Sequence, residues 1–226
     1  MISEKTVVSV VMPASKEGKT IRKVIKDIKG SATYKTQIII VDGYSNDGTE
    51  EIAKEENVEF VTEPRLGYGR AIRTGFDHVK GDIIVIIYAD GTYEAFDINR
   101  LSVPLLKDEA DVCLASRIDG TLLPGAMPGI NLVGNRIFTW LYNIIHMQHL
   151  SDTQTGFRAI TKEVSKRVKL RVDGMGISTA MLTQAAKKGL RIAEFPTAYK
   201  PRNDYSKSKL NRFKAGCEIF SILLSG

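Results

Sequence analysis

The sequence predicts an α/β fold, a mostly parallel central sheet covered by helices. Three observations carry this. Short apolar runs alternate with segments of helical spacing through the first half; turn-forming residues close the first two runs; no linker long enough to separate domains interrupts the 226 residues. A chain of that length buries a substantial core as one domain.

Residues 7–12 form an apolar run closed by Pro13, and residues 37–41 a second closed by Asp42-Gly43, so both read as buried parallel strands. Between them Ile21, Val24, Ile25 and Ile28 share one helical face, making a strand, helix, strand crossover. The pattern continues with a helix over 49–56, a strand over 58–62, a helix over 69–79 and a strand over 82–87. A helix over 97–106 and a strand over 111–115 follow. The second half is less regular. It offers a Pro/Gly-rich stretch at 120–129, a long apolar helix over 131–147 that reads first as core packing and otherwise as the lining of a lipid groove, and a polar turn at 151–156. A helix over 177–188 and a strand over 191–197 follow, completing the site of the first half. At the end, Leu210, Phe213, Cys217, Phe220 and Leu224 recur near helical spacing, which fits an interfacial helix or one packed on the domain.

Composition bounds the setting. An apolar fraction of 43% and a charged fraction of 26% are ordinary for a globular protein, and 32 basic against 26 acidic residues give a net charge of +6. The two cysteines, Cys113 and Cys217, make no disulfide framework; both read as packed hydrophobes in a reducing cytosol. No secretory signal is evident and no apolar run reaches the ~20 residues of a spanning helix, so any membrane contact is expected to be peripheral.

Two acidic turns fall at the C-terminal edge of the expected sheet, where α/β folds bind ligands. In VDGYSNDGT, residues 41–49, Asp42 can accept the imino and amino hydrogens of uracil or guanine, or simply form a turn. Ser45, Asp47 and Thr49 can shape the turn and cap the next helix, and Asp47 alone reads first that way. In YADGTYE, residues 88–94, a single carboxylate, Asp90, suits Mg²⁺ or Mn²⁺ that keeps positions open for diphosphate oxygens. An Asp-Gly turn by itself decides nothing. GYGRAI, residues 67–72, fails as a dinucleotide loop because Ile72 stands where a third small residue belongs. Its glycines read instead as a tight helix entry near phosphate, with Arg70 supplying charge.

PASKE (13–17), VDGYSNDGT, GYGRA (67–71) and YADGTYE, in this order, resemble the donor-site motifs of family 2 glycosyltransferases. The resemblance implies a single GT-A domain with a Rossmann-like sheet. It assigns Pro13, Ala14, Glu17 and Asp42 to the nucleoside, Arg70 to the diphosphate and Asp90 to the metal. Asp47, Gly69 and Ala89 complete the expected nucleotide-sugar set. The sequence departs from the family's DxD triplet, since Tyr88-Ala89-Asp90 puts a phenol where the first carboxylate belongs.

SRIDG (116–120), NLVGNR (131–136), SDTQTGFRA (151–159) and YKPRNDYSKSKL (199–210) resemble polyisoprenyl-phosphate glycosyltransferases of the dolichyl-phosphate mannose synthase type. With the donor motifs, the likeness covers nearly the whole chain. It implies inverting transfer of a hexose from a UDP- or GDP-sugar to a polyisoprenyl phosphate at the cytoplasmic membrane surface. A phosphate acceptor is already anionic, so cations matter more than a strong base. Arg117, Arg136, Arg158, Arg202 and Lys207 are the expected acceptor-phosphate ligands. Asp90, Asp152, Arg117 and Arg158 form the expected catalytic set. Asp152 most economically orients an arginine; contact with the sugar and weak base catalysis are its alternatives. Residues 1–209 would form the GT-A domain, with a donor half of about 1–117 and an acceptor half of about 118–209, and 210–226 an amphipathic helix.

Lys200, Arg202, Lys207, Lys209, Arg212 and Lys214 face the single acid Asp204, which suits lipid phosphate, an anionic membrane or a solvated tail. Two other functions fit the same residues. One is a family 2 enzyme with a soluble hydroxyl acceptor and Asp152 as base. The other is a non-catalytic nucleotide-binding module. His146 and His149 lack an HExxH arrangement, which argues against zinc, and no base-reading motif points to nucleic acid.

Overall fold

The computed structural model describes residues 6–202 and 211–225. Asp204, Lys207, Lys209 and Leu210 lie outside the described residues. The chain runs through β1 (Val7–Ala14), α1 (Ile21–Ser31), β2 (Lys35–Asp42), α2 (Thr49–Glu55), β3 (Glu59–Thr62), α3 (Tyr68–Asp77), β4 (Ile83–Ile86) and α4 (Asp97–Leu106). It continues with β5 (Val112–Leu122), α5 (Gly129–His146), β6 (Arg158–Thr161), α6 (Lys162–Arg167), α7 (Ile177–Lys187), β7 (Ile192–Tyr199) and α8 (Arg212–Ser225).

The seven strands form one sheet in the order β3-β2-β1-β4-β6-β5-β7. Strand β6 is antiparallel to both β4 and β5, and the other pairings are parallel. Alternation along the strands feeds two cores, one on each face of the sheet. Val8, Val10 and Met12 of β1 join Ile38 and Ile40 of β2 in one cluster with the α1 residues Ile21, Val24, Ile25 and Ile28. Val11, Ile39 and Val41 point into the other, with Ile72 of α3 and Met181 of α7. Burial on both faces is why β1, β2 and β4 read as continuous apolar runs. The register sets Ala14 of β1 beside Asp42 of β2, and β4 flanks β1 on its other side. The ends of three adjacent strands therefore meet at one edge.

The second half differs from expectation in four places. Strand β6 begins inside a stretch read only as a motif, and helix α6 follows it in residues given no sequence reading; β6 has four residues and carries Arg158 on a buried face, so no apolar run marks it. Strand β5 runs on to Leu122, so Arg117 sits on a strand and not in a loop. Helix α5 is not a core helix. Thr139 and Tyr142 are buried, but Ile130, Val133, Ile137, Trp140 and Ile144 form an outward stripe, each between 51% and 67% exposed. Cys113 is buried as expected, whereas Cys217 is exposed on α8.

Helix α8 has two faces. Ala215, Ile219 and Leu223 are buried, and the Gly176 amide at the start of α7 donates to Glu218 Oε2 at 2.9 Å, anchoring α8 on the domain. Phe213, Phe220 and Leu224 are exposed on its other side. Among the described residues, no helix is long and apolar enough to cross a membrane.

Candidate active site

At the end of β2, Asp42 is buried and accepts the Ser45 amide at 2.8 Å and the Ser45 hydroxyl. Asp47 closes the same turn. It accepts the Gly18 amide at 2.7 Å, Thr49 Oγ1 at 2.6 Å and Ser45 Oγ at 3.0 Å, tying the loop after β1 to the loop after β2. Burial raises the Asp47 pKa, but the hydrogen bonds from Thr49, Gly18 and Ser45 outweigh it and hold the carboxyl below its usual range. Asp47 is thus an organiser of the turn, as its sequence setting suggested.

Pro13 and Ala14 close β1, and Glu17 is buried just beyond them. Thr20 Oγ1 donates to the Glu17 carbonyl at 3.0 Å and to the Ala89 carbonyl at 2.8 Å. That one hydroxyl joins the turn after β1 to the turn after β4.

Beyond β4, Asp90 is almost sealed from solvent. Its Oδ1 accepts Thr92 Oγ1 at 2.7 Å and the Thr92 amide at 3.1 Å, with Gly91 in the left-handed region at φ 74°. Its Oδ2 is buried and takes no well-aligned hydrogen bond from the described residues, yet lies 2.8 Å from Arg202 Nη2. A buried carboxylate oxygen facing a cation fits the ligand set of a divalent metal. Among the described residues no group of three or more His, Cys, Asp or Glu side chains assembles around it. The donors therefore fit an ion completed by diphosphate oxygens and water, as Mg²⁺ is commonly held.

Tyr88 does not take the place of the missing DxD carboxylate. Its ring packs edge-on to Tyr68 at 5.6 Å and against Tyr93 at 5.6 Å, and a Cβ added at Gly156 would lie 2.2 Å from its Oη. Burial pushes the pKa of the Tyr88 phenol well above its ordinary value. Gly156 is the clearance that lets the phenol in.

The aromatic cluster continues from Tyr93 to Phe157 at 5.0 Å and to Tyr199 at 4.9 Å, and Arg117 lies over the Tyr199 ring at 5.3 Å. Arg117 makes a two-point pair with Asp152, Nε to Oδ2 at 2.6 Å and Nη2 to Oδ1 at 2.9 Å, with both side chains buried. Asp152 is itself fixed from below. Glu194 of β7 accepts the Asp152 amide at 3.0 Å, the Ser151 amide at 2.7 Å and Ser151 Oγ at 2.8 Å. Burial raises the Glu194 pKa and these three hydrogen bonds oppose it.

The remaining cations scatter. Arg158 is 1% exposed and donates to the Ser178 carbonyl at 2.8 Å and to the Thr155 carbonyl, inside the core. Arg136 is exposed on α5, beside Val133, Ile137 and Trp140. Gly67 and Gly69 admit the backbone of the 172–173 segment. Cβ atoms there would lie 2.4 Å from the Asp173 carbonyl oxygen and 2.2 Å from that of Val172. The Asp173 carboxylate pairs with Arg70 at 2.5 Å and also with Arg73. The charge of Arg70, expected near a diphosphate, is met here by Asp173. Sequence reasoning missed Asp173 and Glu194. Each is a lone acid, in a Val-Asp-Gly turn and in an apolar strand, and only the fold brings it to its partners.

Residues 9–168 match the family model described as "Glycosyl transferase family 2". Glycosyltransferase AglJ of Haloferax volcanii is 35% identical over 214 residues, 94% of this chain and 69% of its own. The dolichyl-phosphate hexose transferase of the same organism is 29% identical over 211 residues, 93% of this chain and 90% of its own. Among solved structures, glucosyl-3-phosphoglycerate synthase from Mycobacterium tuberculosis superposes with a TM-score of 0.77 at 21% identity, covering 98% of this chain and 80% of the synthase. That synthase was crystallised with Mn²⁺, uridine diphosphate and glucosyl-3-phosphoglycerate. At such identity the likeness shows a shared fold, the GT-A α/β architecture.

Proposed function

The chain belongs to glycosyl transferase family 2 and is a hexosyltransferase by that kinship, and we propose that it moves a hexose from a UDP- or GDP-sugar to a polyisoprenyl phosphate. The observation that carries the acceptor is the state of Asp152. A hydroxyl acceptor calls for a base, and Asp152, the best candidate for one, is wholly buried with both oxygens committed to Arg117. What the pair offers is a preorganised cation beside the donor edge, which suits an acceptor that arrives already ionised.

In this reading Pro13, Ala14, Glu17 and Asp42 receive the nucleoside, and Asp90 holds Mg²⁺ or Mn²⁺. The metal, when bound, offsets charge on the departing diphosphate. Arg117 and Arg202 supply positive charge on the acceptor and diphosphate sides, Arg136 guides lipid phosphate from α5, and Arg158 supports the turn that precedes β6 from within. The acceptor phosphate oxygen attacks the anomeric carbon opposite the leaving diphosphate, so the anomer inverts and no enzyme-bound glycosyl intermediate forms. The outward stripes of α5 and α8, with Arg136 and Lys214 nearby in sequence, support contact with an anionic membrane surface where such a lipid resides.

The deciding experiment crosses UDP- and GDP-sugars with a polyprenyl phosphate and the matching polyprenol, with and without Mg²⁺ or Mn²⁺. Metal-dependent transfer to the phosphate alone, with inversion, is expected. Equal transfer to the polyprenol, or a retained anomer, rejects the proposal.

A further inference from the structure

Arg202 stands where a metal would have to act. We propose that Arg202 is a resident counter-cation on Asp90, displaced on metal binding, so that the metal enters with the nucleotide diphosphate and not ahead of it. The proposal rests on Asp90 being the metal ligand.

Three observations place Arg202 there by design of the fold. The Asp90 side chain is 2% exposed, and an isolated charge so buried is strongly disfavoured without a partner. Arg202 Nη2 answers it at 2.8 Å while the Arg202 side chain keeps 31% exposure, enough to swing outward. The segment leading to Arg202 is pinned against the Asp90 turn itself. Tyr199 bridges Tyr93, the Lys200 amide donates to the Thr92 carbonyl at 2.8 Å, and Lys200 Nζ pairs with Glu94 at 2.5 Å. Thr92 thus holds Asp90 Oδ1 through its hydroxyl and the Arg202 segment through its carbonyl.

The two cations compete for one oxygen. Oδ1 is occupied by Thr92, so a metal would be held through Oδ2, where a guanidinium at hydrogen-bond distance would crowd and repel it. A diphosphate changes the balance, because its oxygens complete the metal shell and give the released Arg202 an anion of its own. Metal and nucleotide then favour each other's binding reciprocally.

The test is a Mn²⁺ titration of the full chain, read by loss of the free-ion electron paramagnetic resonance signal, without nucleotide and then with UDP or GDP. If the pair is closed about nine-tenths of the time, Arg202→Met binds Mn²⁺ about tenfold tighter than wild type without nucleotide. The gap closes when nucleotide is present. Lys200→Met, which removes a nearby charge that touches Glu94 and not Asp90, stays near wild type. Mn²⁺ also raises the melting temperature of Arg202→Met more than that of wild type, which checks folding in the same samples. Unchanged affinity in Arg202→Met, or equal tightening in Lys200→Met, overturns the proposal. Asp90→Asn separates the two readings. Lost binding there with no change in Arg202→Met rejects the displacement alone, whereas unaltered binding in Asp90→Asn rejects Asp90 as the metal ligand.

Discussion

Asp152 and Arg117 face each other through two parallel hydrogen bonds, 2.6 and 2.9 Å, in a pocket that admits almost no solvent to either. The pair is a positioning device more than a stability device, since a buried ion pair roughly offsets its own desolvation. Removing one partner is different, because it strands the other charge. Asp152→Ala is expected to lower stability by about 3–5 kcal/mol.

Asp152→Asn tests the role of the acid apart from that loss. Asparagine keeps the shape and one acceptor oxygen, so it should destabilise less than Asp152→Ala, although the Arg117 charge is left unpaired and loses its two-point hold. Lower kcat/KM for polyprenyl phosphate is expected, by about 10–100-fold for a displaced cation. The acid limb of the pH–rate profile should stay where it was. A limb that disappears with Asp152→Asn would identify Asp152 as a base and favour a hydroxyl acceptor.

Gly156 and Tyr88 make a second coupled pair. A methyl group at Gly156 would meet Tyr88 Oη and Cζ, both at 2.2 Å, so Gly156→Ala should cost about 1–3 kcal/mol through overpacking. Tyr88→Asp, which writes the family's first carboxylate back into the triplet, should also destabilise, by opening a gap beside Tyr68 and Tyr93. The double variant should lose less than the two losses added, because the smaller residue 88 relieves the clash. Strict additivity in urea denaturation would mean the phenol is not seated against Gly156.

The first half was legible because its strands are buried on both faces and its helices carry one apolar face. Val8, Val10, Val11 and Met12 read as a strand in any context, and Ile21, Val24, Ile25 and Ile28 read as a helix. Asp42 and Asp90 were legible as turn carboxylates for the same reason, each following such a strand. The pairings that give them meaning were not. Arg202 lies far along the chain from Asp90, Asp173 from Arg70, and Glu194 from Ser151, and no local pattern encodes a contact made only by folding. Strand β6 was hidden by its length of four residues and by Arg158, whose buried charge breaks the apolar signal. Tyr88 was silent in a plainer way. Its position in the triplet marked a departure from the family pattern without saying what the phenol does, and only the fold shows that its ring belongs to the aromatic cluster.

Glu63 gives the acid side of the stability profile. Arg65 donates to it from Nε at 2.8 Å and from its amide at 3.0 Å, and Thr74 Oγ1 donates at 2.6 Å. Arg65 first, then Thr74, hold the Glu63 carboxyl down to about 2, against 4.5 in an unfolded chain. A folded-state pKa below the unfolded one means stability that is full above pH 4.5 and lost as pH falls towards 2. Arg65 is 66% exposed, so solvent screening limits the pair to about 1 kcal/mol at most. Urea midpoints of wild type and Glu63→Gln should therefore differ at pH 7, draw together below pH 4.5 and converge only as the pH reaches about 2. A gap that persists at low pH would place its origin in packing and not in ionisation.

Trp140 tests the outward stripe of α5. It is 61% exposed, while the same helix is held to the domain through buried Thr139 and through Tyr142, whose Oη donates to the Leu182 carbonyl at 2.8 Å. Trp140→Glu therefore touches no core contact and should change stability by no more than about 0.5 kcal/mol. Insertion of one large apolar side chain into an interface contributes about 1.5–3 kcal/mol, so losing it should weaken binding to anionic lipid vesicles about ten- to a hundredfold. Trp140→Lys separates the two forces at work, because it removes the apolar contact but keeps attraction to anionic lipid. It should bind more weakly than wild type, more tightly than Trp140→Glu, and with a steeper dependence on salt. Phe213→Glu on α8 should act in the same direction, since its ring is 83% exposed on the neighbouring apolar face. Vesicle sedimentation that ignores all three substitutions would show that these stripes do not face a membrane.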